Sequence, residues 1–308
     1  MVLVIIMKNI FCVDIGGSKL VCGALTDTGE ILDTYRVEYP KNYTLDTILH
    51  YIQEGYEKLK HYDFYACGAA IPGLCDYTAG TWLYSPFSGL SNIPITQIIS
   101  DITSLPTVAD NDVNISALAE KYFGVCKNVS DFLWITVSNG IGGGLYLNDT
   151  LYRGQGLSAG EIGHFIVEEN GRACGCGNKG CLEAHASGAS IATIYNENTG
   201  KNLTAKEIAE LARNGDCDAI AVWQKAGAYI GKAASYAVNL LNIDTIVLGG
   251  GAAEAFDLLE PTATKSLHEN LFIKANPNIK ILHSAPGRFA ALMGCAALVL
   301  ENQKEKSI

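Results

Sequence analysis

The segment AGEIGHFIVEENGRACGCGNKGCLE, residues 159–183, constrains the fold of this chain more than any other. It sets His164 ahead of Cys174, Cys176 and Cys181. One imidazole and three thiolates form a closed tetrahedral donor set of the kind zinc takes in structural sites. Gly175, Gly177 and Gly180 free the backbone for the tight turns such a knuckle needs. Unpaired cysteines are often small buried hydrophobes. Three of them set among lysine, asparagine and glycine do not read as core, so a zinc knuckle over 164–181 is expected.

The remaining composition describes what surrounds that knuckle. A chain of 308 residues, 48% hydrophobic and 18% charged, is expected to form a well-packed globule of two lobes. The formal net charge of −10 argues against nucleic acid as a partner, because phosphate binding needs basic patches. The apolar runs VLVII (residues 2–6) and AALMGCAALVL (290–300) are too short to span a bilayer, so no membrane association is expected. The opening residues lack the pattern of a secretory leader, and Met7 is an alternative start. Cys12, Cys22, Cys67, Cys75, Cys126, Cys217 and Cys295 lie mostly in apolar runs and read as reduced core residues of a cytoplasmic protein.

Along the chain, Asn9–Asp14, Leu20–Thr26 and Glu30–Tyr39 read as strands of a hairpin meander turning at GGS and DTGE. Apolar residues at 45, 48, 49, 52, 56 and 59 predict a helix over Leu45–Leu59. Phe64–Ile71 reads as a strand ending at Pro72-Gly73, and a helix is expected from Asp112 to Phe123, stopped by Gly124. In the second half, Phe132–Val137 and Gly143–Leu147 read as strands, Thr204 and Glu207 as a capping box, and Asp218–Leu241 as a long helix. Thr245–Leu248 reads as a buried strand, and Phe289–Leu300 as a small-residue helix that returns to the first lobe. Both halves open with strand, glycine turn, strand. That repetition suggests two related lobes with a cleft between them.

Three glycine turns follow strands: Asp14-Ile15-Gly16-Gly17-Ser18-Lys19, Asn139-Gly140-Ile141-Gly142-Gly143-Gly144 and Gly249-Gly250-Gly251. A turn whose amides point inward is a nest for phosphate oxygens, and a carboxylate beside it can hold magnesium directly or through water. Each turn alone is equally an ordinary hairpin turn. Together they suit a nucleotide laid along a cleft. Asn111-Asp112 follows the apolar run 107–109 and precedes a helix, where it reads either as an N-cap or as the base that accepts the proton of an attacking hydroxyl. Glu161 and His164, three apart, share a face if locally helical, and the knuckle brings Glu183 near them.

The motifs DIGGSK, IPG, NDVN, GIGGG, AGEIGH and CGCGNKGCLE, in this order, resemble the ROK family of bacterial sugar kinases and repressors. The resemblance runs from Asp14 to the final MGCAALV. It implies a two-lobed α/β fold of the actin-like ATPase (ribonuclease H-like) type, with mixed sheets and an inter-lobe cleft. The first lobe would comprise residues 1–112 plus about 292–308, and the second 113–291 with the knuckle at 164–181. The implied activity is ATP-dependent phosphorylation of a hexose hydroxyl, with Mg2+ and a structural Zn2+.

By that resemblance Asp112 is the general base, and Asn111, Glu161, His164 and Glu183 contact the sugar. His164, Cys174, Cys176 and Cys181 hold zinc. Asp14 with Gly16, Gly17, Ser18 and Lys19 falls at the phosphate and magnesium position. Asn139, Gly140, Gly142 and Gly143 form the second phosphate loop, and Gly249 and Gly250 lie near the adenosine. Zinc with four protein ligands has no open position, so its implied role is to hold His164 by one ring nitrogen and leave the other N–H for a sugar hydroxyl.

The chain departs from the pattern twice. Ser138-Asn139 stands where family kinases usually have Gly-Thr, which puts a phosphate contact there in question. Ser85-Pro86-Phe87-Ser88-Gly89-Leu90 stands where many glucose-specific members read SPNLxGW, so a glucose-type pocket is not implied. The alternatives are a sugar-binding protein that has lost catalysis and a sugar-responsive regulator. Regulators of the family carry a winged helix-turn-helix before the DIGG segment, whereas thirteen residues precede Asp14 here. A homo-oligomer, dimer or tetramer, is expected from the resemblance.

Overall fold

The computed structural model describes residues 9–85, 88–272 and 278–305. Met7, the apolar run at 2–6 and Pro86-Phe87 lie outside the described residues. The chain divides into two compact units: residues 1–128, 154–158 and 289–308 form the first, and 129–153 with 159–288 the second.

In the first unit, β1 (Asn9–Ile15), β2 (Lys19–Thr26) and β3 (Ile31–Glu38) form the expected antiparallel meander. Helix α1 (Leu45–Leu59) has the bounds its apolar spacing predicts. Thr44 caps it through a reciprocal bond with Thr47, and its stripe of Ile48, Ile52 and Leu59 packs on Phe11, Val13 and Ile15 of β1. Each such isoleucine contributes about 1.5–3 kcal/mol by leaving water.

β4 (Phe64–Ile71) then lies parallel to β1. A small sheet of β5 (Leu74–Asp76), β6 (Thr81–Tyr84) and β7 (Ser91–Ile93) and the helix α2 (Ile95–Thr103) follow. β8 (Thr107–Asn111) closes the main sheet parallel to β4 and runs straight into α3 (Asp112–Tyr122). The main sheet has the order β3-β2-β1-β4-β8.

The second unit repeats this plan. β9 (Phe132–Val137), β10 (Ile141–Leu147) and β11 (Thr150–Tyr152) form an antiparallel meander. After the knuckle come α4 (Leu182–Ala186), α5 (Gly188–Thr199), α6 (Ala205–Arg213) and α7 (Cys217–Leu241). The Thr204–Glu207 capping box opens α6 as expected. β12 (Thr245–Gly249), α8 (Phe256–Glu269) and β13 (Lys280–His283) complete a sheet ordered β11-β10-β9-β12-β13. β12 runs parallel to both its neighbours, as β4 does in the first unit. Two sheets of one topology explain why both halves of the sequence open alike.

The last helix, α9 (Ala290–Glu305), belongs to the first unit, where it packs on α3 and on β1 and β4. Its small residues make this possible: a Cβ on Gly294 would stand 2.2 Å from the Ile115 carbonyl oxygen. Three details correct the sequence reading. β10 begins at Ile141 rather than Gly143, so most of the glycine run is strand. β12 extends to Gly249. Cys217 is exposed at the start of α7, whereas the other six cysteines outside the knuckle are buried. No described helix is long and apolar enough to cross a membrane.

Candidate active site

In the first unit, the parallel strands β1, β4 and β8 end at one edge of the sheet, the edge at which open α/β sheets take their ligands. The register aligns Asp14 with Ala70 and Ala70 with Asp110, one residue before Asn111. The hairpin that follows Asp14 is closed by the Gly16 N–H on the Lys19 carbonyl oxygen at 2.9 Å. Ser18 and Lys19 are exposed at its tip. Burial lifts the Asp14 carboxyl to a pKa of about 6, opposed by the Lys19 ammonium. Burial and then the Asp14 charge lift Asp112 to about 7, partly offset by the Val113 N–H and the Asn111 amide. Two buried carboxyls lifted toward neutral pH, one of them also by the charge of the other, suit a cation or a proton-accepting role.

Asn111 is the N-cap of α3 and at the same time holds its neighbour Asp112. Its Oδ1 accepts from the Val113 and Asn114 N–H groups at 2.9 and 3.1 Å, the N-cap of α3. Its amide Nδ2 donates to the Gly73 carbonyl oxygen at 2.8 Å and to Asp112 Oδ1 at 3.1 Å. Both amide protons are therefore engaged, and a sugar hydroxyl would have to displace one of these partners. The Pro72-Gly73 turn is itself fixed by the buried Trp82, whose Nε1 donates to the Pro72 carbonyl oxygen at 2.9 Å. This tether from β6 to the aspartate has no signature in the sequence beyond the IPG triplet.

In the second unit, the ends of β9, β12 and β13 gather the other glycine turns. Ser138, Asn139 and Gly140 form the turn between β9 and β10, closed by the Ser138 N–H on the Gly140 carbonyl oxygen at 2.9 Å. Asn139 is exposed at its tip. Gly142 and Gly143 lie within β10 instead, paired with Thr136 and Ile135. A Cβ on Gly143 would stand 2.7 Å from the Gly160 carbonyl oxygen, so that glycine admits the Ala159–Glu161 backbone against the strand. Gly250 follows β12 at φ +94° and packs on the last residues of β9. The Ala252 N–H donates to the Val137 carbonyl oxygen at 2.9 Å, which joins the third glycine turn to the second.

Glu161, His164 and Glu183 also belong to this unit. Ile162–His164 form one 3-10 turn that begins at Glu161 and brings Glu161 Oε2 to 3.8 Å from His164 Nε2. The other ring nitrogen, Nδ1, lies 3.8 Å from Cys174 Sγ, and Cys176 Sγ lies 3.6 Å from Cys181 Sγ. All four donor atoms lie within 4.8 Å of one another. Zinc–sulfur bonds of about 2.3 Å in a tetrahedron set donor–donor edges of roughly 3.8 Å, so the cluster fits that ion. Burial raises the Cys174 thiol, and raises Cys181 to about 12, whereas the Asn178 N–H lowers Cys176. A cation is what would make all three thiolates favourable.

Sequence reasoning passed over the residue that anchors this knuckle. His185 is buried in α4, and its Nε2 accepts the Arg172 N–H at 3.1 Å, two residues before Cys174. The proton therefore sits on Nδ1, which faces Glu168 Oε2 at 3.4 Å, and the Tyr229 hydroxyl of α7 donates to that same oxygen at 2.5 Å. A lone histidine four residues past the last cysteine of the motif carries no signal of such a link. Glu183, two residues before it, accepts the Ile141 N–H on Oε2 at 2.9 Å.

The profile of the ROK family matches residues 10–302. The chain belongs to the ROK family. It is 31% identical to a glucokinase of Halalkalibacterium halodurans, with 96% of each chain aligned. It is 27% identical to the xylose repressor of Bacillus subtilis over 93% of this chain and 76% of the repressor. Among solved structures, a ROK family glucokinase from Streptomyces griseus in complex with glucose and AMPPNP superposes with a TM-score of 0.85 at 28% identity, covering 94% of this chain and 99% of that one. This ROK chain thus has the two-lobed, actin-like ATPase fold of mixed sheets.

Proposed function

We propose that this ROK protein is an ATP-dependent sugar kinase that phosphorylates a hexose hydroxyl, with Asp112 as the general base. The observation that carries the reading is Asp112 itself, held at a strand end by Asn111 and lifted to about 7 beside Asp14. A base acts best when its pKa lies near the working pH. In the step proposed, the hydroxyl oxygen attacks the γ-phosphorus of ATP and its proton passes to the Asp112 carboxylate. The bond from that phosphorus to the bridging oxygen breaks, and ADP leaves. Magnesium, when bound, spreads the charge of the phosphates; Asp14 is the carboxylate that would hold it, directly or through water. The hairpin 16–19 and the turn Ser138–Gly140 serve the phosphates, and Gly249-Gly250 the adenosine side.

Glu161, His164 and Glu183 bind the sugar in this reading. His164, Cys174, Cys176 and Cys181 hold a structural zinc through His164 Nδ1, leaving Nε2 toward Glu161 and the substrate. The glucokinases among the relatives support the kinase class. A second reading, a sugar-binding protein without turnover, is favoured by the xylose repressors among the relatives and by Ser138-Asn139 at the phosphate turn. ADP release decides between them. Purified chain with Mg-ATP is expected to release ADP with at least one of glucose, mannose, fructose, allose or an N-acetylated hexosamine. Sugar binding by calorimetry without any ADP release would establish the second reading instead.

A further inference from the structure

We propose that the zinc knuckle is also part of the nucleotide site, because Glu183 and the α4–α5 corner hold both ends of the Ser138–Gly140 turn. The inference rests on the kinase reading, which assigns that turn to the phosphates. Helix α4 starts directly after the zinc-cluster residue Cys181, so the knuckle sets where the corner sits. From it, Glu183 Oε2 takes the N–H of Ile141 at 2.9 Å, on the far side of the turn. The Gly188 N–H takes the Ser138 carbonyl oxygen at 2.7 Å, on the near side. Both contacts are close: a Cβ on Gly140 would stand 2.5 Å from Glu183 Oε2 and displace that carboxylate, and one on Gly188 would stand 2.8 Å from the Ser138 backbone oxygen.

The corner is rigid in its own right. The Glu183 carbonyl oxygen accepts from Ser190 Oγ at 2.7 Å and from the Ser187 N–H at 3.3 Å. One carboxylate therefore has two duties. Oε2 is committed to the turn, and Oε1 remains for a sugar hydroxyl. A nest for phosphate works only if its amides are fixed before the anion arrives. Here that fixing comes from a segment that a metal and a sugar also use, so loss of the knuckle loosens nucleotide binding even when no sugar is present.

The test is calorimetric titration of the zinc-loaded full chain with Mg-AMPPNP in the absence of sugar, with zinc content and melting measured for each variant. Glu183→Ala is expected to weaken nucleotide binding about tenfold by removing a charged acceptor from the Ile141 N–H. Glu183→Gln, whose carbonyl oxygen still accepts that N–H, is expected to stay within about threefold of wild type. Gly188→Ala, which presses on the turn without touching Glu183, is expected to weaken nucleotide binding several-fold and leave the sugar KM within about twofold. Wild-type nucleotide affinity in Glu183→Ala, with only the sugar KM raised, would overturn the inference and leave the kinase reading intact. Should Glu183→Ala lose zinc, Gly188→Ala decides alone, and unchanged affinity there overturns the inference. A wild-type chain that neither binds Mg-AMPPNP nor releases ADP removes the kinase reading and this inference with it.

Discussion

The two units are built on one strand plan, yet they prepare their strand ends in opposite ways. At the end of β1 and the start of α3 after β8, the first unit gathers two carboxyls that burial, and for Asp112 also the Asp14 charge, lifts to about 6 and about 7. At the ends of β9 and β12, the second unit ties backbone turns down with hydrogen bonds from neighbouring segments. The first arrangement stores an electrostatic cost that a cation or a proton relieves. The second invests in position, where the groups are neutral amides and what matters is that they do not move. In the kinase reading one topology thus supports a reactive end and a receiving end, and the difference lies in side chains and tethers rather than in the sheets.

The sharpest break in that comparison is Asp112→Asn. With Asp112 as the proposed base, its loss is expected to lower kcat by about 10²–10⁴, with sugar binding little changed. The same substitution should raise the melting temperature of the ligand-free protein at pH 8. A carboxyl lifted to about 7 in the folded chain costs stability when ionised, and that cost grows as pH rises from about 4 through 7. Wild-type kcat/KM should rise with pH along an acid limb near 7 and then level off, because the carboxylate is the active form. Equal turnover by Asp112→Asn, or a melting temperature that falls at pH 8, would remove the reactive end from the comparison.

Next in size is Cys181→Ser, which takes one donor from the zinc set. Metal analysis is expected to fall from about one zinc per chain to almost none, with sugar affinity lost alongside. His185→Phe is smaller. It leaves the Arg172 N–H without its acceptor and removes the Nδ1 partner of Glu168, an effect of about 1–3 kcal/mol, read as a lower melting temperature and faster zinc release to a chelator. Unchanged zinc release would show that the knuckle does not depend on α7 through His185. Trp82→Phe should be the mildest. It drops one hydrogen bond behind the Pro72-Gly73 turn, and a few-fold fall in kcat with unchanged sugar KM is expected. A KM effect without a kcat effect would assign Trp82 to the sugar pocket instead of to the positioning of Asp112.

What was legible in the sequence follows the range of the physics involved. Helix α1, β4 and β9 emerge with their bounds because apolar spacing and breaking residues act locally. The knuckle was legible because chelation chemistry demands closely spaced donors. The short strands β5–β7 and the small-residue helices α4 and α5 carry too little periodicity to announce themselves. The glycine run at 140–144 misleads for a different reason. Gly143 is glycine because the Gly160 backbone closes on it, a contact between segments that no local pattern contains. The same holds for Glu183 on Ile141, forty-two residues apart, and for Asn111 on Gly73, thirty-eight apart. Residue types named the chemistry; only the fold shows which of their atoms are already spoken for.

The distribution of sulfur has a practical consequence. Of the ten cysteines, six are buried away from the knuckle and Cys217 alone stands exposed outside it. A maleimide dye added to zinc-loaded protein should therefore mark one position, at the start of α7. Stripping the metal would release Cys176, then Cys174, to the same reagent. The ratio of dye to chain becomes a direct gauge of metal occupancy in the native protein.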